Sequence, residues 1–278
     1  MKNLKAVLSI LLLSSVLCSC KKDIDMTLVK SVRLQDAHFA AIQVGEAFEV
    51  TVLNDENTFV ETECSAYLND YIICKVEGDK LLLSVDKVGN LPAGTEYRAI
   101  VHTPDLHSVA MADASTMTIK GNFDGFTSAV LSGNSSCSGG VFSGDEANVT
   151  LSGTSQLINF TFDGQHFEAK LGDASRFVGN VNAINNFDVE LDAASTFVNY
   201  GGATQNAIIN LTDGSLLNMA QTEIQRVEVD FSGASSATVK ATETISGRLA
   251  EASSLYYYGT PVFAPDFVCD TTSFVVRL

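Results

Sequence analysis

The chain has 278 residues, with 33 acidic against 17 basic side chains, a formal net charge of −16 and no tryptophan. That balance speaks against nucleic acid and other polyanions as partners, because a phosphate backbone is held by clustered Lys and Arg. With 46% hydrophobic residues there is material for a sizeable core.

Residues 1–20 read as a processing signal. Lys2 and Lys5 precede an apolar run from Ala6 to Leu17 that is too short for a comfortable membrane span. The run ends Leu17, Cys18, Ser19, Cys20, which resembles the bacterial lipobox, so Cys20 is the expected site of lipid attachment. Acyl chains on Cys20 would anchor the protein to a membrane without a spanning helix, outer-membrane attachment being expected. Removing residues 1–20 takes away two lysines and no acid, moving the net charge from −16 to −18. Residues 21–35, beginning Lys21, Lys22, Asp23, are a tether resembling that of Bacteroidetes surface lipoproteins.

Residues 36–108 read as lead-in strands. Phe39, Ile42, Val44, Gly45, Phe48, Val50 and Val52 outline a strand, a glycine turn and a second strand. Lys80 to Val85 and Tyr97 to Thr103 give two more, the last followed by Pro104.

Residues 109–261 are a repeat. Ser115, Ser135, Ser155, Ser175, Ser195, Ser215 and Ser235 are spaced by twenty residues, and Ser253 follows after eighteen. Four residues before each serine stands an apolar residue: Met111, Leu131, Leu151, Leu171, Leu191, Leu211, Phe231 or Leu249. Alternating apolar residues flank every slot, for instance Val149 before it and Leu157 after it, so each coil is strand, small-residue bend, strand. The expected fold is all-β, a parallel β-helix with about 20 residues per coil, on the order of 35 Å long at ~4.8 Å per coil. Residues 262–278 are expected to cap the open end. The whole of 36–278 is expected to be one domain.

Together, the Phe39 to Val52 pattern, the strand ending Thr103-Pro104 and the following Asp-Ala-Ser and Gly-x-Ser bends resemble the head (GIN) domain of putative auto-transporter adhesins of Bacteroidetes lipoproteins. The resemblance covers roughly residues 36–278. It implies a β-helical exported lipoprotein, with an adhesive role as the family's own proposal.

The serine column invites a nucleophilic reading, but a nucleophile needs a base and an oxyanion hole, and eight serines share one environment. Stacked hydroxyls serving bend backbones explain it better. Asp113, Asp173, Asp192, Asp213 and Glu251 lie in the bends. They read as turn formers, because Asp113 and Asp173 are three coils apart and only 173/192 and 192/213 are neighbours. Asp188 with Glu190 and Glu228 with Asp230 read as outward charges on a solvated face. His38, His102, His107 and His166 have no metal spacing. Tyr256 and Tyr258 are expected to point out and Tyr257 in. Asp270, Thr271 and Thr272 resemble a Bacteroidetes O-glycosylation site.

Of Cys64, Cys74, Cys137 and Cys269, the first two would be bridged only if their strands were adjacent, and Cys137 reads as a buried small hydrophobe. No catalytic residue, cofactor or metal is expected. The functional expectation is a non-enzymatic envelope lipoprotein binding an unidentified protein or glycan. A carbohydrate-active enzyme (polysaccharide lyase or hydrolase) on the same scaffold, or a structural spacer, is the alternative.

Overall fold

In the computed structural model, which describes residues 24–86 and 89–278, the alternation read from the repeat becomes an inward column of side chains. In coil 152–171, Ser155, Leu157, Phe160, Phe162, Phe167, Ala169 and Leu171 are buried. The alternation slips phase at Asn159 and again between Gly164 and Phe167, and the register with the next coil shifts at both places. A slip of one residue exchanges the faces of a strand, so the chain must turn to keep apolar residues inside. The strand Gln156–Leu171 therefore bends twice without breaking, and the serine bend closes the third corner.

Successive coils pair in parallel with a twenty-residue offset. Leu151 lies opposite Leu171, and Leu171 opposite Leu191. The chain is a β-solenoid of about eight turns with ~20 residues per coil. Its core is an aromatic stack. Among the described residues the twelve largest fully buried side chains are all phenylalanine, and neighbouring coils bring Phe177 and Phe197 to 4.5 Å, stacked, and Phe167 and Phe187 to 5.1 Å. Stacking one ring on the next coil's ring fills the narrow interior with no polar atom to satisfy.

The amino-terminal end differs from the expected run of lead-in strands. Nine strands open the described residues: β1 (Leu28–Arg33), β2 (Ala41–Val44), β3 (Glu49–Asn54), β4 (Phe59–Ser65), β5 (Ile72–Glu77), β6 (Lys80–Val85), β7 (Tyr97–Thr103), β8 (Ser108–Met111) and β9 (Thr116–Asp124). β2 pairs in parallel with β8 on one side and β6 on the other; β3 does the same with β9 and β7. β2 and β3 thus form a full coil whose bend, Val44 to Phe48, stacks on Met111 to Ser115. Phe48 occupies the serine position, since Glu49 pairs with Thr116. The chain then doubles back, and β6 and β7 stack outside this coil before β8 and β9 stack inside it. Antiparallel β5 covers β6, while β4 and then β1 cover β7, so this end of the parallel ladder has antiparallel neighbours.

Residues 262–278, read as a cap, carry the register further. Val268–Cys269 pairs with Arg248–Leu249, and Phe274–Arg277 pairs with the strand Ser254–Tyr258. Ser273 is consequently a ninth member of the serine column, and it accepts a hydrogen bond from the Ser253 N–H.

Candidate functional site

The serine bend recurs as one device. The third slot residue has a left-handed backbone in every repeat coil: Asp113, Gly133, Gly153, Asp173, Ala193, Asp213, Gly233 and Glu251 have φ between 46° and 71°. Glycine takes this conformation freely and aspartate tolerates it, which is why those residues dominate the slot. The serines are buried, and every hydroxyl donates to a carbonyl. Ser115, Ser135, Ser235 and Ser253 bond within their own bend, whereas Ser155, Ser175, Ser195 and Ser215 reach the preceding coil, for example Leu131 O from Ser155 at 3.2 Å. A hydroxyl sealed in this way satisfies backbone and has no path to a substrate.

The bend carboxylates act on backbone N–H groups. Asp113 accepts from Glu46 N at 3.1 Å and Asp173 from Gly153 N at 2.8 Å. Asp270 accepts from Glu251 N and from Thr272 N and hydroxyl, which holds its carboxyl well below the usual range, the Ser273 bond being the largest cause. The Thr272 hydroxyl also accepts from Ala252 N, so residues 270–272 form a hydrogen-bonded turn in which Thr271 is exposed.

On the outward strand face, Glu168 and Asp188 are register neighbours. Burial first, then the Glu168 charge, pushes the Asp188 carboxyl up, against the pull of His166. With Lys170, Glu190, Ile208 and Asn210 they line a depression of about 200 Å³. All of its walls belong to three adjacent strands, so these carboxylates share one face and do not confront each other across a cleft. A larger hollow of about 470 Å³ lies beside the amino-terminal bend, between Ile73, Leu82, Ala110 and Val130.

One polar ladder on the outward face is a feature that the sequence reading missed. His166, Asn186, Asn206 and Arg226 occupy one register column on four successive coils. Asn186 Nδ2 lies 3.0 Å from His166 Nδ1, Asn206 Nδ2 donates to Asn186 Oδ1 at 3.2 Å, and Arg226 Nε donates to Asn206 Oδ1 at 3.0 Å. Arg226 ends the ladder against Glu243 at 3.4 Å. Gln165 and Asn185 run beside it, joined at 3.2 Å. The available signal was the twenty-residue step from His166 through Asn186 and Asn206 to Arg226.

The remaining candidates take structural places. His102 bonds Asp55 at 2.9 Å and stacks on Phe59 at 3.9 Å. Tyr257 packs edge-on against Phe263, while Tyr258 is exposed. Cys64, Cys74, Cys137 and Cys269 are free thiols. β4 pairs with β1 and β7 while β5 pairs with β6, so the adjacency that a Cys64–Cys74 bridge required is missing from the ladder. Burial pushes the Cys137 thiol up to about 12. Among the described residues no cluster of three or more His, Cys, Asp or Glu is placed to hold a metal, and no helix is long and apolar enough to cross a membrane. Cys20 lies outside the described residues.

Solved structures share this fold at low identity. A putative adhesin from Parabacteroides merdae superposes with a TM-score of 0.61 at 11% identity, covering 91% of this chain and 96% of that one. A putative adhesin from Parabacteroides distasonis gives 0.58 at 12%, covering 92% and 98%. A putative lipid binding protein from the same species gives 0.58 at 11%, covering 91% and 97%. No curated protein matches the chain. The family model described as putative auto-transporter adhesin, head GIN domain, matches residues 38–261, from the β2–β3 coil through the last serine bend of the repeat. The chain belongs to that family.

Proposed function

We propose that this protein is a non-enzymatic binding protein of the cell envelope, held to the outer membrane by acyl chains on Cys20, that engages a protein or glycan through the outward face of its coils. The observation that carries this reading is the His166–Asn186–Asn206–Arg226 ladder. Its amides are pre-aligned by their neighbours, Asn186 Nδ2 keeps a second N–H and the amide oxygens keep a second lone pair, and it runs along a face with no cleft. A rigid row of amides at strand spacing suits an extended polar partner, because little side-chain freedom remains to be lost on binding. The buried serine hydroxyls and the single-face carboxylates give hydrolysis or lyase chemistry no comparable support.

The test is binding of residues 24–278 to an array of glycans and immobilised matrix proteins, beside the paired substitution Asn206→Ala, Arg226→Ala. Binding weakened at least about tenfold by the pair supports the reading, one hydrogen bond to a charged donor being worth that much. Absence of binding, or binding indifferent to the ladder, sinks it.

A further inference from the structure

The hydrogen bonds that tie one serine bend to the next reverse direction in the middle of the rod. In the first coils the N–H of the fourth slot residue donates backwards: Asn134 to Asp113 O at 2.6 Å, Thr154 to Gly133 O at 2.7 Å and Ala174 to Gly153 O at 3.0 Å. From the next coil on it donates forwards: Ala194 to Asp213 O at 3.0 Å, Gly214 to Gly233 O at 2.7 Å and Ala234 to Glu251 O at 2.8 Å. The backbone dihedrals change at the same point. Ala194, Gly214, Ala234 and Ala252 have positive φ, whereas Asn134, Thr154 and Ala174 at the same slot position do not.

A trans peptide points its N–H and C=O in opposite directions, and no cis peptide occurs among the described residues. Since Ala174 N–H points back to coil 153, Asp173 C=O points forward to coil 193. Since Ala194 N–H points forward to coil 213, Ala193 C=O points back to coil 173. Two carbonyl oxygens therefore face each other across one inter-coil step, where every neighbouring step has a carbonyl facing an N–H.

The opposite junction shows how this chain treats such a reversal. Glu46 O accepts from Tyr97 OH on the outer coil at 2.7 Å, so Ala47 N–H points toward the 113 bend. Asp113 O accepts from Asn134, so Ala114 N–H points back toward it. Two positive dipole ends converge there, and the Asp113 carboxylate reaches across to the same bend. Where two negative ends converge, an acidic side chain again belongs to the same pair of bends. Asp192 extends over Gly172 so closely that a Cβ on residue 172 would lie 3.0 Å from its Oδ1. Among the second slot residues of the eight repeat coils (Ala112, Ser132, Ser152, Gly172, Asp192, Thr212, Ser232, Ala250), Gly172 is the one glycine and Asp192 the one acid; outside the repeat Gly45 and Asp270 take the same position. Asp173 turns its own carboxylate away, to Gly153 N, and no basic side chain pairs with Asp192 among the described residues. Two opposed carbonyls beside a carboxylate repel one another, and a positive charge between them relieves all three at once.

The geometry points to a hard divalent cation, Ca²⁺ by its ligand chemistry, held between Asp173 O, Ala193 O and the Asp192 carboxylate, with water completing the shell. Ca²⁺ takes six to eight oxygens in irregular arrangements, mixing backbone carbonyls and carboxylates, whereas Mg²⁺ demands near-octahedral geometry. All three bend residues are exposed, so water reaches the site, and few protein ligands place the affinity in the weak range of extracellular modules, about 10⁻⁴ to 10⁻³ M.

The test is titration of residues 24–278 with CaCl₂, read by amide chemical shifts at matched ionic strength. Saturable shifts confined to residues 172–174 and 192–194 are expected, weakened at least about fivefold by Asp192→Asn, which removes one charged ligand. Gly172→Ala, which crowds the interval and alters no ligand, is expected to weaken the same shifts, and it serves if Asp192→Asn fails to fold. Shifts spread over the acidic faces, no shifts at about ten times the upper affinity limit, or a variant that titrates like wild type overturn the proposal.

Discussion

Asn199 stands in for a missing strand beside Val181: its Oδ1 accepts from Val181 N at 2.7 Å and its Nδ2 donates to Val181 O at 3.0 Å. The coil that should pair there is interrupted at residues 200–202, between the strands Thr196–Asn199 and Ala203–Leu211. The same Nδ2 shares its two hydrogens with Gly201 O and the Thr222 hydroxyl as well, and Asn199 itself is 1% exposed. Asn199→Leu keeps the branched shape, adds some bulk and orphans Val181 N–H and C=O together. The expected loss is about 3 kcal/mol, from buried groups costing ~1–3 kcal/mol each. Urea unfolding of the variant measures it, and a loss below about 1 kcal/mol means that water replaces the amide.

Asp188 gives the clearest dependence on pH. Its folded carboxyl is raised, by burial first and by Glu168 second, so the native state holds that proton more tightly than the unfolded chain does. Stability from this group is therefore present at low pH and is lost as pH rises from the ordinary carboxylate range through the raised value. Asp188→Asn should melt higher than wild type at pH 7, by less than about 1 kcal/mol at this half-exposed site. The gap should close as the pH falls toward about 4. Melting curves across that range check it, and an Asn variant less stable at pH 7 reverses the assignment.

The four thiols should separate by exposure. Cys269 is exposed, Cys74 is half-buried with its thiol pushed up to about 11, and Cys64 and Cys137 are buried. Alkylation of residues 24–278 near pH 8 should therefore modify Cys269 first, at least about tenfold faster than Cys137, because the thiolate is the reactive form. Peptide mass spectrometry reads the order. Early loss of Cys137 would mean that its coil opens readily.

Gly247 has φ of 104° in the strand Ser236–Leu249, and a Cβ there would run into the Val229 carbonyl of the coil before it. Backbone cannot yield as a flexible side chain does, so Gly247→Ala should cost roughly 2–4 kcal/mol or more through local rearrangement. A melting temperature within a few degrees of wild type would show that the coil absorbs the methyl group.

Export and anchoring are tested on cells of the native host. With Cys20 acylated and the coils outside, protease treatment of intact cells releases peptides from residues 109–261, and Cys20→Ala abolishes membrane fractionation. Protection in intact cells with digestion after lysis places the rod on the periplasmic side.

The coils were legible in the sequence because a turn with a left-handed third residue tolerates few side chains, so Gly, Asp and Ala recur beside a buried serine. Pairing across coils then followed from the step of twenty. The β2–β3 coil was not legible as such, since Phe48 takes the serine's place and its partners, β6 and β8, lie far along the chain. Nor was the reversal at Ala193: Ala174 and Ala194 are the same residue in the same slot with opposite peptide orientations. The Asn ladder was readable as a period but carries no motif, because outward positions are free of the packing constraint that makes inward ones repeat. The serines, Asp113 and Asp173 kept the structural roles read from the sequence, since hydroxyls and carboxylates at a bend find backbone first.

The doubling back of the first coil gives the rod an order of assembly. A solenoid ordinarily lengthens one coil at a time from any seed, each new turn copying the last. Here a chain made from its amino terminus holds β2 and β3 without either parallel neighbour until β6, β7, β8 and β9 exist. Three separate stretches must then meet at once, a non-local closure that is slow compared with later additions. Residues 109–261 can pile onto that closed end as a local, downhill process. On this order, damage before Asp124 is expected to hinder the rod from starting, and damage near Phe274 to shorten it.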